Sequence, residues 1–267
     1  MISELIHDLD DPRLAVYRSL KATNATRDLD CFVVEGEKLV ERLIASRFPV
    51  ASVLVTDRHL DRLAATIPDG VPVYVVPFEK VHDLVGFPFH RGALACGRRL
   101  PRPDWRALWG TSKGPLTFAI CPQISNPENV GSIARLCDAF GVDGIFAGSS
   151  CPDPLSRRVL RVSMGSTLRV PIVVADDLLG LASELESALG VGFLAAVADD
   201  HATPFGRVEI PSRVGLVLGD EDRGVDPDWL ARCRHAVTIP MNGRASSLNV
   251  STAAAILLYH FSRRDGD

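Results

Sequence analysis

Short apolar runs alternate with amphipathic stretches over nearly the whole chain, the rhythm of strands and helices that follow one another in an α/β protein. In the N-terminal part, residues 31–34, 50–56, 71–76 and 93–97 are apolar runs of strand length. Between them, 37–46, 58–65 and 77–85 space their apolar residues three and four apart, as helices do. Asp11-Pro12 offers a cap and a first-turn proline for an earlier helix reaching about Lys21. A second series follows residue 115, with strands at 116–121, 144–147, 170–174, 192–197, 214–218 and 236–239. Its helices fall at 130–140, 155–162 and 178–189, and a last one starts from Asn249. Residues 98–114 separate the two series; they are rich in Arg, Pro and Gly, and their X-Pro steps disfavour helix. Only a short turn around Trp105–Trp109 is expected there. The pattern predicts a small α/β domain over 1–105, a linker over about 98–114, and a second α/β domain over 115–267.

Composition narrows the class. With 46% hydrophobic and 23% charged residues the chain reads as a soluble globular protein. No apolar run approaches the ~20 residues of a membrane span. The first residues are acidic and lack the basic-then-apolar layout of a secretory leader. A cytoplasmic protein without a membrane partner is the expectation. The six cysteines are far apart with no Cys-x-x-Cys pair, and no His/Cys group has zinc spacing, so neither disulfides nor a metal is expected. Cys31, Cys96 and Cys121 fall in or beside apolar runs and are read as buried thiols.

A net charge of −4 speaks against a nucleic-acid partner, but the distribution softens it. Arg98, Arg99, Arg102 and Arg106 crowd the linker, with only Asp104 against them. Arg157, Arg158, Arg161 and Arg169 occupy a stretch with no acid between Leu155 and Ala175. Local basic patches, rather than overall charge, hold phosphates. The competing reading is a solvated face whose arginine stems cover apolar surface.

Three segments carry candidate chemistry. The first is Asn126-Pro-Glu-Asn-Val-Gly-Ser-Ile-Ala-Arg135, a polar turn entering a helix. Asn129 stands at or near its cap, and Arg135, four residues beyond Gly131, shares a face with that side-chain-free position. The second is Leu216-Val-Leu-Gly-Asp-Glu-Asp-Arg-Gly-Val225, a strand breaking at Gly219, where backbone can approach a ligand closely. The third runs from Ile239 to Tyr259: a polar loop, then Ser247 or Asn249 as helix cap, then the small-residue run Ala253, Ala254, Ala255.

In this order and spacing the three segments resemble the motifs of the SpoU (TrmH) branch of the SPOUT RNA methyltransferases. The resemblance implies an α/β trefoil-knot domain, a homodimer built on the first-motif and final helices, and S-adenosylmethionine as cofactor. It places Leu218, Gly219, Ile239, Met241 and Leu248 around the cofactor, and Arg135, Asn129, Glu221, Ser247 and Asn249 at the reaction site. The family usually has Gly-Asn-Glu-Gly where this chain has Gly219-Asp-Glu-Asp222, so Asp222 must tolerate whatever backbone the glycine adopts. Phe32-Val-Val-Glu-Gly36 and Phe89-His-Arg-Gly-Ala-Leu-Ala95 look like the L30e-like substrate-binding domain that precedes many SpoU enzymes. Arg91, Arg157, Arg158 and Arg161 are the RNA-binding candidates.

The implied reaction is methylation of a ribose 2′-hydroxyl in structured RNA. Ribosomal RNA is favoured by the presence of a whole N-terminal domain. Alternatives are a tRNA 2′-O-methyltransferase, or an RNA-binding protein of the same fold that has lost catalysis. A dinucleotide-binding oxidoreductase is excluded by the absence of Gly-x-Gly-x-x-Gly. Proposals that the family's arginine acts as a general base meet the difficulty that a guanidinium effectively never gives up its proton. Electrostatic stabilisation of the attacking oxygen is the alternative role for Arg135.

Overall fold

A computed structural model describes residues 3–18, 20, 29–89, 92–243 and 246–262. In chain order the strands are β1 (Ser3–Leu5), β2 (Cys31–Glu35), β3 (Val50–Thr56), β4 (Val73–Val76), β5 (Ala93–Arg98), β6 (Leu116–Cys121), β7 (Gly144–Gly148), β8 (Ile172–Ala175), β9 (Gly192–Ala196), β10 (Thr203–Pro204), β11 (Arg213–Leu218) and β12 (His235–Thr238). The helices are α1 (Glu37–Ile44), α2 (Leu60–Leu63), α3 (Phe78–Val85), α4 (Trp105–Trp109), α5 (Pro127–Ala139), α6 (Arg157–Val162), α7 (Leu178–Leu189), α8 (Pro227–Arg232) and α9 (Val250–Ser262). The expected first helix is a 3-10 turn over Pro12–Tyr17, with Asp11 accepting from Arg13 N. Strands β1 and β10 and helix α8 lie outside the elements the pattern predicts.

The chain divides into two compact units, Met1–Pro101 with Leu155–Arg169, and Arg102–Pro154 with Val170–Asp267. The first holds a five-stranded mixed sheet in the order β1-β4-β3-β5-β2. Strand β2 is buried at all five positions, including Glu35. A carboxylate there needs partners, and α6 supplies them. Arg157 stands 3.0 Å and Arg161 3.8 Å from Glu35 Oε2, Arg157 also stacks 4.2 Å from the Phe87 ring centroid, and Arg42 donates to the Met164 carbonyl. Leu160 and Leu168 complete the core beside Leu39, Leu43 and Val34. The stretch 155–169, expected within the second domain, thus folds with the first unit because a buried acid and an apolar core bind it there.

The second unit is a seven-stranded sheet in the order β10-β12-β9-β11-β6-β7-β8, parallel at every pairing. Parallel strands covered on both faces need apolar residues at both parities. Here Ala119, Cys121, Leu194, Leu216 and Leu218 face one core, while Phe118, Ile120, Phe193 and Val217 face the other. On the first face α5 packs against α9 through Ile133, Ala134, Cys137, Ala254, Leu257 and Phe261. On the second, Trp109 of α4 sits 4.9 Å from Phe118 and 5.5 Å from Phe146, so the expected linker turn is a core helix of this unit. The segment's arginines have local partners as well, Arg106 on Glu184 at 2.7 Å and Arg99 Nε on the Cys31 carbonyl at 3.0 Å.

Candidate active site

Each motif ends a parallel strand or starts the helix after one, at the carboxyl edge of the sheet where open α/β sheets place their ligands. Asn126 caps α5 by accepting from Glu128 N at 2.9 Å, with Pro127 at the first helical position. Asn129 is therefore not the cap. It lies one turn inside, only 4% exposed, and its side chain is free for other work. Its amide donates to Glu221 Oε1, and its oxygen accepts from Asn249 Nδ2 at 3.1 Å. Ser125 Oγ donates to the other oxygen of Glu221 at 3.3 Å. One residue from each motif thus meets in a single hydrogen-bonded chain, Glu221–Asn129–Asn249. Asn249, rather than Ser247, caps α9: its Oδ1 accepts from Ser251 N at 2.8 Å and Thr252 N at 3.4 Å.

Beside this chain lies a cavity of about 480 Å³. All five expected cofactor residues, Leu218, Gly219, Ile239, Met241 and Leu248, line it, as do Glu221, Ser247 and Asn249. The sequence reading missed the segment Ala196–Asp199, together with Val225, Val237 and Thr238, which also line it. The signal for the first was available, since β9 ends at the same edge beside β11. Gly219 is indispensable to the shape. A Cβ there would stand 2.5 Å from Val225 N and closer still to the Gly224 carbonyl.

The loop after Gly219 resolves the question posed by its two aspartates. Asp220 and Gly224 exchange backbone hydrogen bonds of 2.9 Å in both directions. The left-handed residue of the turn is Gly224, at φ +70°, while Asp222 has no positive φ. The expected backbone demand on Asp222 does not exist. Asp220 Oδ1 accepts from Asp222 N at 3.1 Å and Arg223 N at 3.3 Å. The Asp222 N–H foremost, with help from Ser125 and Arg223 N, holds the Asp220 carboxyl below its usual range.

The remaining expected residues lie elsewhere. Arg135 is exposed on α5, outside the cavity lining, and makes no hydrogen bond or ion pair among the described residues. Arg157 and Arg161 are engaged with Glu35, Arg158 is exposed on α6, and Arg91 lies outside the described residues. No group of three His, Cys, Asp or Glu side chains among the described residues is placed to hold a metal. Burial pushes the Cys121, Cys137 and Cys151 thiols up, so none of them offers a ready thiolate. No helix is long and apolar enough to cross a membrane among the described residues.

Comparison with known proteins agrees with the geometry. The SpoU rRNA Methylase family model matches residues 117–259. An uncharacterised tRNA/rRNA methyltransferase of Mycobacterium bovis is 34% identical over 266 residues, covering 96% of this chain and 90% of the relative. The 23S rRNA (guanosine-2′-O-)-methyltransferase RlmB of Acinetobacter baylyi is 28% identical over 212 residues, 78% of this chain and 85% of that protein. Among solved structures, an AdoMet-bound rRNA methyltransferase from Sinorhizobium meliloti superposes with a TM-score of 0.84 at 22% identity, covering 99% of both chains. With its three motifs joined at one cavity and its family model spanning more than half of its length, the chain belongs to the SpoU methylase family.

Proposed function

We propose that this protein transfers a methyl group from S-adenosylmethionine to a ribose 2′-hydroxyl of structured RNA, with ribosomal RNA as the substrate class. The observation that carries the reading is the Glu221–Asn129–Asn249 chain beside the cavity that the second and third motifs line. The cavity fits the donor. Its volume lies within the range typical of small-molecule sites, Val225, Val237, Ile239 and Leu257 offer apolar walls for an adenosine, and Gly219 admits close backbone approach. When bound, S-adenosylmethionine supplies an electrophilic methyl; the C–S electron pair stays on sulfur and the acceptor hydroxyl loses its proton to solvent.

This chain's own residues orient and stabilise. Glu221, held by Asn129 and Ser125, fixes the loop on one side of the cavity, and Asn249 fixes the start of α9 on another. The Arg135 guanidinium stabilises charge on the acceptor oxygen or a neighbouring phosphate. Its position outside the lining of its own protomer's cavity favours a homodimer. The surface for that is an apolar strip in which Tyr259, 48% exposed, meets Phe140 edge-on at 5.8 Å beside Ile256 and Leu136. The first unit, with Arg91 and Arg158, is the proposed RNA-recognition part. An inactive RNA-binding protein is disfavoured by the intact polar chain between the three motifs.

The test is transfer of labelled methyl from S-adenosylmethionine to ribosomal RNA and, separately, to tRNA, followed by alkaline hydrolysis. A ribose 2′-O-methyl group leaves an uncleaved dinucleotide at the modified position. Label confined to mononucleotides places the methyl on a base and overturns the ribose assignment, and label only in tRNA overturns the ribosomal one.

A further inference from the structure

Among the described residues that line it, the cavity carries charge of one sign. Its lining includes Asp199, Asp220 and Glu221 and, among the described residues, no lysine, arginine or histidine. Two of the acids are adjacent in sequence, and like charges so close ordinarily oppose each other's ionisation. The loop counters this by spending two backbone N–H groups on Asp220 Oδ1 and the Asn129 amide on Glu221. Neither acid has an ion-pair partner among the described residues, and the N–H groups on Asp220 favour its charged form, so that carboxylate is left for something that enters the cavity.

We infer that Asp220, with Glu221 and Asp199, makes the cavity select its ligand by charge, retaining the sulfonium form and releasing the thioether that remains after methyl transfer. The inference rests on the cavity being the S-adenosylmethionine site. The donor carries one more positive charge than S-adenosylhomocysteine, and the two share nearly every other contact. A negative wall therefore favours the first over the second by electrostatics alone. For a charge pair about 6–8 Å apart at an effective dielectric of roughly 40–80, one carboxylate is worth on the order of two- to tenfold in affinity. The gain is largest where product release limits turnover, and Asp220 is a specificity-determining residue rather than a reacting one. Asp222, exposed and outside the lining, contributes little.

The experiment is calorimetric binding of three ligands at low salt: S-adenosylmethionine, S-adenosylhomocysteine, and sinefungin, whose amine keeps a positive charge where the sulfonium stood. Asp220→Asn retains an oxygen able to accept from Asp222 N and Arg223 N, so the loop keeps its form while the charge is lost. Wild-type protein should bind both cationic ligands more tightly than the homocysteine form. Asp220→Asn should narrow that preference about two- to tenfold, Asp222→Asn should leave it nearly unchanged, and raising salt should narrow it in the wild type. A preference that is absent, or unaltered in Asp220→Asn, overturns charge selection while leaving the cofactor assignment intact. Failure of the wild type to bind any of the three removes the cofactor assignment and the inference with it.

Discussion

Replacing Gly219 by alanine tests the cavity at its tightest point. The added methyl would meet the Gly224 carbonyl and Val225 N, which are backbone atoms and cannot swing aside as a side chain would. Either the end of β11 or the 220–224 turn must move. Overpacking of this kind costs about 1–3 kcal/mol, and losing the paired Asp220–Gly224 hydrogen bonds adds about 1 kcal/mol each. The sum is about 3–5 kcal/mol, and its lower end, about 3 kcal/mol, corresponds to a fall in Tm of roughly 6–12 °C for a unit of this size. If half of it falls on the cavity wall, S-adenosylmethionine affinity drops about tenfold. Gly114→Ala is the control, because nothing lies within 4 Å of its Cβ. Thermal unfolding and calorimetric titration of both variants decide the matter. Wild-type Tm and affinity in Gly219→Ala would refute the close approach and the cavity shape drawn from it.

Asn129→Ala should lower turnover strongly and stability by about 1–3 kcal/mol, because it leaves Glu221 and Asn249 without a shared partner; denaturant melts and methyl-transfer kinetics read both. Arg135→Ala should abolish transfer while leaving S-adenosylmethionine affinity near wild type, since Arg135 lies outside the lining; calorimetry beside a transfer assay separates the two. Glu35→Gln should destabilise the first unit by about 2–4 kcal/mol, moderated by the partial exposure of both arginines, with 155–169 becoming the first site of limited proteolysis. Ala254→Glu should prevent folding rather than merely split an oligomer, since Ala254 is fully buried within the protomer; circular dichroism distinguishes the outcomes.

The strands were legible because a parallel sheet covered on both faces writes itself as unbroken apolar runs. β3, β6 and α7 fall where the pattern puts them. The elements that escaped lack that signature. All three residues of β1 are exposed, and β10 has two residues. Helix α8 was readable in principle from Asp226-Pro227, a cap followed by a first-turn proline like Asn126-Pro127 of α5. The placement of 155–169 was the larger surprise, and its clue was a charge rather than a periodicity. Glu35 stands at the end of the apolar strand β2, and a carboxylate in such a place must find cations. The arginines that satisfy it lie more than a hundred residues on, where sequence alone offers two clusters and no way to choose.

The site divides along the same line. Its walls were legible because they follow from local rules: Gly219 where a strand breaks, a polar loop before a capped helix, Asn126 before Pro127. What joins them is not local. Glu221 is 92 residues from Asn129 and Asn249 is 120, so no spacing predicts that the three side chains form one chain of hydrogen bonds. The same contact explains why Asn129 cannot be the cap. A cap spends its oxygen on its own helix, whereas this oxygen accepts from Asn249. Asn126 takes the local task, and the buried asparagine one turn later is left to tie the three segments to the cavity they enclose.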